Sequence, residues 1–403
     1  MGFGRLALST VLLAACAAPS AAADDGAEGA EAAQTTTVHA PADPEATAET
    51  KTVLANLHSF DPASTNSFDH RVLVGQQETD TSNRTTNGLE PVDSDFERTA
   101  HAPAGLVSYE ISTAFKGALG NFDVAAFRAG RGALRERILA QHAKGVLVSL
   151  VWHMKCPKAS TSDRDLYSPE DCPRDYTLAS LLQGGAHFAE WRAMLDELAE
   201  LLWSLKDANG NLVPVQIRPF HEFGGNWFWW GRSNAADTYA QAWREMVDYL
   251  RSGRGLHNVL WVFCPGSTSD DSGVWRYYPG DRYVDVVAID RYDFGDGRFA
   301  RGYEADLRTA TSFARAHDKV AAVAEVGRNQ TEHAIDPSWF SRTMLAPLER
   351  YKVAYVALWR NAPWEKFVPE PNDGAATTDF EHMTADEHVL LGGKHDLYSP
   401  LHR

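Results

Sequence analysis

The chain is poor in cysteine and in basic charge, and it lacks the short motifs that mark common metal and nucleotide sites. Its 403 residues include 4 Cys, and 38 Lys and Arg stand against 54 Asp and Glu, for a formal net charge of −16. Nucleic acids and anionic lipids are bound by basic surfaces, so we expect no nucleic-acid partner. No C-x-x-C, H-E-x-x-H or G-x-G-x-x-G motif occurs, and we predict no metal and no cofactor.

The N-terminus has no apolar run long enough to cross a bilayer. The apolar stretch at residues 6–15 is about ten residues long, whereas a membrane-spanning helix needs about 20, so it indicates an export signal. Its end (LAAC) resembles a bacterial lipoprotein signal. We expect residues 1–16 to be the signal peptide, Cys16 to be lipidated, and the protein to be anchored in outer-membrane lipid of the cell envelope. An ordinary signal peptide cut near residues 21–23 is the alternative.

Residues 17–50 contain almost no large apolar side chains and consist mainly of Ala, Thr, Pro, Glu and Asp. Such a segment cannot bury enough surface to offset the entropy of ordering, so we predict a disordered tether. The folded domain is then expected to span residues 51–403. Neither an internal repeat nor a second domain is visible there, and we expect a monomer.

The remaining cysteines suit an oxidising compartment. Cys156 and Cys172 flank a polar, proline-containing stretch. A disulfide between them would close a loop of about 15 residues, worth about 3 kcal/mol in the chain-entropy model. Cys264 ends the apolar run LWVFC and is predicted to be a buried free thiol.

Beyond residue 50, short apolar runs alternate with amphipathic stretches such as 130–144, 188–206 and 235–251. Nearly continuous apolar runs are typical of buried parallel strands. Eight such runs occur, at residues 71–76, 104–109, 146–152, 213–220, 259–264, 284–289, 320–326 and 353–359. Eight strand–helix alternations predict an α/β protein with a (β/α)8 barrel, in which active sites lie at the carboxyl ends of the strands. A doubly wound open sheet is the alternative, but its glycine-rich fingerprint is absent.

Two glutamates end predicted strands four and seven: Glu222 in IRPFHEFGG and Glu325 in VAAVAEVG. A buried carboxylate is costly unless it is paired. Each glutamate alone could form a structural ion pair with an arginine, and Arg218, Arg291 and Arg360 are candidates. Two carboxylates facing each other across one barrel mouth are instead typical of glycoside hydrolysis, in which their separation determines retention or inversion.

The segment RPFHEFGGNWFWWG at residues 218–231 resembles the acid/base signature of glycoside hydrolase family 26, whose best-known members are β-mannanases. The resemblance extends along the folded chain through LVGQQ, WH, IDRY, AEVG and LWR at other strand ends. It implies a (β/α)8 barrel and a retaining double-displacement mechanism. It also implies that Glu222 is the general acid/base and Glu325 the nucleophile. Negative charge on Glu325 would raise the pKa of Glu222 until Glu325 is esterified.

The resemblance also implies substrate-binding roles for several residues at the same rim. His153 would contact the sugar in the −1 region, His221 would help to hold the carboxylates, and Tyr292 would donate to the nucleophile. Trp359 would form the floor of the −1 subsite, Arg360 would hold the −2 sugar, and Trp227 would lie near the cleavage site.

Other rim residues are less specific. Trp227, Trp229 and Trp230 form a cluster after Glu222, and we expect packing at the barrel rim for one or two of the three. Glu110, at the end of strand two, is equally compatible with a direct role in the active site and with a structural role.

The expected activity is therefore retaining hydrolysis of β-1,4-mannosidic bonds in β-mannan or manno-oligosaccharides. Endo cleavage and release of mannobiose from chain ends both stay open, and the loop between Cys156 and Cys172 is a candidate for closing one end of the cleft. A β-1,3-xylanase or β-1,3/1,4-glucanase of the same family is the alternative enzyme. A non-catalytic glycan-binding surface lipoprotein is disfavoured because both carboxylates stand in intact motifs.

Overall fold

The computed structural model defines the positions of the folded domain and of a few residues before it. The described residues are 39–60, 71–85, 92–112, 124–154, 156, 168–170, 172–269, 272–394 and 396–400. The predicted signal peptide, Cys16 and most of the predicted tether lie outside these ranges. The chain from residue 38 onward forms one compact unit. Among the described residues, no helix combines the length and the apolar composition that a bilayer crossing requires.

Eight parallel strands close into a barrel, which confirms the predicted fold. Their bounds are β1 Val72–Gln77, β2 Leu106–Glu110, β3 Leu147–Val151, β4 Val215–Arg218, β5 Val259–Phe263, β6 Val286–Tyr292, β7 Val320–Gly327 and β8 Tyr355–Leu358. Each strand pairs with the next along the chain, and β1 pairs with both β2 and β8. An open doubly wound sheet is thereby excluded, since its edge strands would stay unpaired.

The helices surround this barrel. Their bounds are α1 Ala48–His58, α2 Asp95–Ala100, α3 Val124–Ala143, α4 Leu178–Leu181, α5 Phe188–Ser204, α6 Ala236–Asp248, α7 Phe299–Ala316 and α8 Ala375–Ala385. In the described part of the β5–β6 connection there are only 3₁₀ turns, at Ser272–Tyr277 and Asp281–Tyr283. This stretch contains Gly273, Pro279 and Gly280, which disfavour a continuous α-helix.

The folded domain begins earlier than the predicted boundary at residue 50, which is wrong by about ten residues. Helix α1 starts at Ala48, after Thr47, whose side chain accepts a hydrogen bond from the backbone of Thr50. Ala42 is buried and donates its backbone N–H to Asp285 at 2.7 Å. A polar, alanine-rich composition hides this boundary because only a few apolar contacts and one cap are needed to dock the segment.

Helix α1 closes the N-terminal end of the barrel. Its Val53, Leu54 and Leu57 are buried among interior side chains of the strands, such as Leu260 and Val286. Larger aromatic side chains fill a separate outer layer between the strands and the helices. The barrel is therefore a packed scaffold whose opposite, carboxyl-terminal end is available for a site.

His58, the last residue of α1, is enclosed in this end of the molecule. Its ring stacks on that of His39, with 3.7 Å between centroids and an angle of 3° between the planes. Burial, followed by the charge of His39, lowers the pKa of His58 to about 3. His58 is therefore a neutral imidazole throughout the pH range in which the fold is expected to be stable.

A ninth strand, Val389–Leu390, was not predicted. It pairs with the start of β1, through Val72 and Leu73. Further along, β1 contacts β2 so closely that a Cβ on Gly75 would lie 1.8 Å from the carbonyl oxygen of Leu106. Two apolar residues carry no detectable periodicity, so nothing in the sequence marks this strand.

We expect Gly75→Ala to destabilise the protein, because the added methyl group meets backbone that cannot move without separating β1 from β2. A loss of about 3 kcal/mol or more in the free energy of unfolding is expected, measured by denaturant titration. Gly132→Ala is the matched control: no atom lies within 4 Å of its added Cβ, and in helix α3 the change is expected to stabilise by up to about 1 kcal/mol. Equal stabilities of the two variants would contradict this account of the β1–β2 contact.

Candidate active site

The carboxyl ends of the strands bring together most of the residues that the sequence analysis singled out. Carboxylate oxygens of Glu222, Glu325 and Asp290 lie within 4.8 Å of one another. Ligand atoms of His153, His221 and Glu325 meet the same limit. One mouth of the barrel thus holds three acidic groups and two imidazoles.

Glu325 reaches this mouth because β7 contains a bulge. Ile289 pairs with Val323, but the next residue of β6, Asp290, pairs with Glu325, so β7 carries one extra residue. Val323 and Val326 both belong to the outer layer of the core. With regular alternation Glu325 would share the orientation of Val323 and point at the helices. The bulge redirects its side chain, as bulges beside active sites commonly do.

Two donors hold the Glu325 carboxylate, which is 3% exposed. Arg218 forms a buried ion pair with Oε1, and the Tyr292 hydroxyl donates to Oε2 at 2.6 Å. The second arm of Arg218 donates to Asp290 Oδ2 at 2.6 Å. Glu325 therefore does form the ion pair that the sequence analysis weighed as a structural alternative. The pair leaves the carboxylate at the barrel mouth and fixes its orientation.

Glu222 follows β4 on a sharply bent segment. Phe220 and Glu222 have φ angles of 46° and 51°, in the left-handed region. The Glu222 N–H donates to the carbonyl of Cys264 at 2.8 Å, which ties the bend to the end of β5. Left-handed backbone is strained for residues other than glycine, and such strain is often found at functional sites. Here it lets the neighbouring His221 and Glu222 both lie at the site although they are adjacent in sequence.

The surroundings of Glu222 favour its protonated form. Burial raises the pKa of Glu222 well above its ordinary value, and the negative charges of Asp290 and Glu325 raise it further. The indole N–H of Trp227 donates to Oε2 at 2.8 Å and opposes the shift, as does Arg218. The pKa of one glutamate is thus raised, while the other glutamate faces a guanidinium and a hydroxyl donor. This pair of environments is what general acid catalysis beside a nucleophile needs.

The two histidines form a hydrogen-bonded line with Glu110. His153 Nδ1 bonds to Glu110 Oε2, its backbone N–H donates to the other oxygen at 3.0 Å, and its Nε2 lies 3.0 Å from His221 Nε2. Burial would raise the pKa of Glu110, but His153 and backbone donors outweigh it and lower that pKa. Burial lowers the pKa of His221 well below its usual value. Glu110 therefore orients His153, and through it the neutral His221.

Trp359 and Arg360 form another part of the rim. The Trp359 ring lies 6.1 Å from the His153 ring and 6.2 Å from the Tyr292 ring, both edge-on. The Arg360 guanidinium donates to Glu78 at 2.8 Å and to Glu365 at 2.9 Å. Its side chain is 19% exposed, so two carboxylates fix its direction while part of it faces outward.

The tryptophans near Glu222 divide into two groups. Trp227 is 54% exposed, whereas Trp229 and Trp230 are buried and donate to the carbonyls of Met154 and His221 at 2.7 Å. Packing at the rim, expected for one or two of the three, applies to Trp229 and Trp230. Only Trp227 is open to a ligand.

The predictions for Cys156, Cys172 and Cys264 are confirmed. Cys156 and Cys172 form a disulfide, and Cys264 is a buried free thiol. Most of the loop between Cys156 and Cys172, the candidate for closing the cleft, lies outside the described residues.

Three further residues lie at the site without a role assigned to them from the sequence. Side chains alternate along a strand, and Asp290 comes two residues after Ala288 and four after Val286, which both point into the barrel. This alternation predicts that Asp290 also points inward. Glu78 follows β1 but lies outside any predicted motif. Phe294, which is 66% exposed and 6.5 Å from the Tyr292 ring, lies in a glycine-rich loop with no distinguishing pattern.

Comparisons with known proteins agree with this geometry. Residues 42–330 match the family model described as glycosyl hydrolase family 26. The chain is 29% identical over 351 residues to a mannan endo-1,4-β-mannosidase of Bifidobacterium adolescentis, covering 83% of this chain and 33% of that protein. This chain therefore spans about a third of the length of that curated relative.

Two solved structures are similar in fold. The GH26 β-mannanase of Bacteroides ovatus is 30% identical with a TM-score of 0.75, and the match covers 89% of this chain and 99% of that one. A modular endo-β-1,4-mannanase of Cellulomonas fimi is 28% identical with a TM-score of 0.73, covering 87% and 77%.

Two substitutions are expected to shift the pKa of Glu222 in opposite directions. Trp227→Phe removes a donor that stabilises the carboxylate, so the pKa rises. Asp290→Asn removes a negative charge that disfavours the carboxylate, so the pKa falls. If Glu222 must be protonated, the alkaline limb of the kcat/KM profile moves up for the first variant and down for the second, each by about half a pH unit or more.

The control for aromatic replacement is Trp203→Phe on α5, where the indole donates to the carbonyl of Arg254. Its alkaline limb is expected to coincide with that of the wild type. Shifts of Trp227→Phe and Asp290→Asn in the same direction would contradict the assignment of the limb to Glu222.

Proposed function

Since the chain belongs to glycosyl hydrolase family 26, we propose that it hydrolyses β-1,4-mannosidic bonds of mannan or manno-oligosaccharides with retention of anomeric configuration. The observation that carries this proposal is the distance of at most 4.8 Å between oxygens of Glu222 and Glu325. Retaining glycosidases have carboxyl groups about 5–5.5 Å apart, whereas inverting enzymes need about 6.5–9.5 Å to admit a water molecule.

In the first step, Glu222 donates its proton to the leaving glycosidic oxygen while Glu325 attacks the anomeric carbon. The C–O bond to the leaving sugar breaks, and an ester bond to Glu325 forms. Arg218 and Tyr292 hold the attacking carboxylate in one orientation. Positioning of this kind lowers the entropic part of the barrier.

In the second step, water attacks the glycosyl ester and Glu222 accepts its proton. Esterification removes the negative charge of Glu325, which is one of the causes that raise the pKa of Glu222. The pKa of Glu222 therefore falls as the intermediate forms, and the same group changes from acid to base. Asp290 and Arg218 stay paired during this change.

Mannan is the proposed substrate because the relatives described above are named as mannanases. His153 lies beside Glu325, and Trp359 lies between the rings of His153 and Tyr292, with Arg360 next to it, which suits the sugar-binding roles expected for them. Lichenan and β-1,3-xylan are the substrates of the alternative enzymes. The proposed location, at the outer membrane through an acylated Cys16, is supported by the residues of the N-terminal signal alone.

Hydrolysis of mannan, lichenan and β-1,3-xylan by the full chain tests the substrate. We expect release of sugar from mannan and a β-anomeric first product by NMR. An α-anomeric first product, or activity on lichenan or β-1,3-xylan without activity on mannan, would reject the proposal. The products from mannohexaose distinguish the modes of action. Release of mannobiose alone from the outset indicates exo cleavage, and a mixture of manno-oligosaccharides of several lengths indicates endo cleavage.

The roles of the two glutamates are tested by azide rescue with a dinitrophenyl β-mannoside substrate, whose leaving group needs no protonation. Glu222→Ala is expected to lose about 10²–10⁴ in the turnover of the mannan substrate. With azide it should form the β-mannosyl azide, since azide attacks the glycosyl ester. Glu325→Ala is the matched variant and should form the α-mannosyl azide by direct displacement. No rescue of a folded Glu222→Ala, or the reverse stereochemistry, would contradict the assignment.

A further inference from the structure

Three side chains able to ligate a metal ion meet at the end of the barrel opposite the cleft. One atom from each of His39, His58 and Asp318 lies within 4.8 Å of the other two. They come from three separate segments: the first described residue, the end of α1, and the turn between α7 and β7. Asp318 has a φ of 55° in that turn. The fold thus brings together two imidazoles and a carboxylate that are far apart in sequence.

The arrangement of His58 leaves it open to a ligand. The residue is 7% exposed, and within the described part of the chain neither of its ring nitrogens makes a hydrogen bond. These nitrogens are not fully enclosed, so a ligand can reach them from the surface. On its outer side, His39 Nδ1 lies 2.7 Å from Asp318 Oδ1. A proton shared by these two atoms occupies a position that a cation could take.

We propose that His39, His58 and Asp318 bind one Zn²⁺ ion, with water as a fourth ligand. Two imidazole nitrogens and one carboxylate oxygen form a donor set that zinc accepts in tetrahedral geometry. Ca²⁺ and Mg²⁺ are less suited because they require oxygen ligands almost entirely. The side chain of Asp318 is 59% exposed and that of His39 is 32% exposed, so the ion and its water can enter from solvent.

Binding requires one movement. The two imidazole rings are now stacked, and an ion midway between them would lie outside both ring planes, where the nitrogen lone pairs do not point. His39 must therefore rotate off the His58 ring, which its partial exposure and its position at the edge of the domain allow. Lys319 is the nearby opposing charge, and its ammonium group is engaged by the carbonyl of Asp281 at 2.8 Å.

The consequence is a metal link between the start of the folded domain and the closed end of the barrel. An ion that binds the folded state alone raises its stability with concentration. Asp318 precedes β7, whereas Glu325 lies near its carboxyl end, about 20 Å further along at the usual rise of a strand. Zinc is therefore expected to change thermal stability without changing kcat/KM.

The experiment is a zinc titration of the untagged full chain after treatment with EDTA, followed by calorimetry and by thermal unfolding. We expect one site with a Kd of about 10 µM or lower and a rise in Tm of about 3 °C or more at saturation. His39→Ala and Asp318→Asn are expected to weaken binding by at least ~10-fold and to abolish most of the rise in Tm. Both side chains are partly exposed, so these variants should fold even if His58→Ala does not.

The control is His317→Ala. His317 is paired with Asp281 at 2.8 Å, and the structure provides no second histidine within ligand distance of that pair among the described residues. This variant should bind zinc as the wild type does. No binding up to 1 mM zinc, or binding that survives both His39→Ala and Asp318→Asn, would overturn the proposal. Because the readouts are affinity and Tm, either outcome leaves the proposed hydrolase activity to its own test.

Discussion

The catalytic end of this barrel depends on one buried cation. Arg218 is 1% exposed and contacts Asp290 and Glu325 with its two arms. Burial alone would lower its pKa, but these two carboxylates raise that pKa well above the ordinary value. Removing the charge would leave two buried carboxylates unpaired, and breaking such a pair costs about 3–5 kcal/mol. The arrangement therefore fixes the Glu325 carboxylate at the same time as it keeps the Asp290 carboxylate close to Glu222.

The three carboxylates have different chemical environments although they lie within one small volume. Glu325 receives a guanidinium and a hydroxyl donor, while Glu222 receives the indole N–H of Trp227, a smaller influence of Arg218 and the repulsion of two carboxylates. Burial and the neighbouring negative charges therefore raise the pKa of Glu222 above its ordinary value. In the proposed mechanism Asp290 would still act on Glu222 after Glu325 is esterified, which would limit how far the pKa of Glu222 falls.

The strands and the meeting of Glu222 and Glu325 at one barrel mouth could be predicted because both leave local signals. Buried parallel strands are continuous apolar runs, and a glutamate that ends such a run stands out. Two features could not be predicted: the docking of residues 39–50 and the short ninth strand. Both are stabilised by a few contacts with distant residues. Residues 39–50 have a polar composition, and the ninth strand is too short to show a pattern. The line from Glu110 through His153 to His221 is equally invisible in sequence, because it joins the ends of three strands that become neighbours only when the barrel closes.

Because β7 contains one extra residue, its two halves follow different alternations of inward-facing and outward-facing side chains. Residues before Ala324 follow the alternation of the whole barrel, and residues after it follow the alternation displaced by one. A designer who exchanges β7 with a regular strand of equal length would keep the hydrophobic core and still turn the carboxylate at position 325 toward the helices. The orientation of this carboxylate therefore depends on the bulge in β7, and transfer of the site to another barrel requires transfer of the bulge as well.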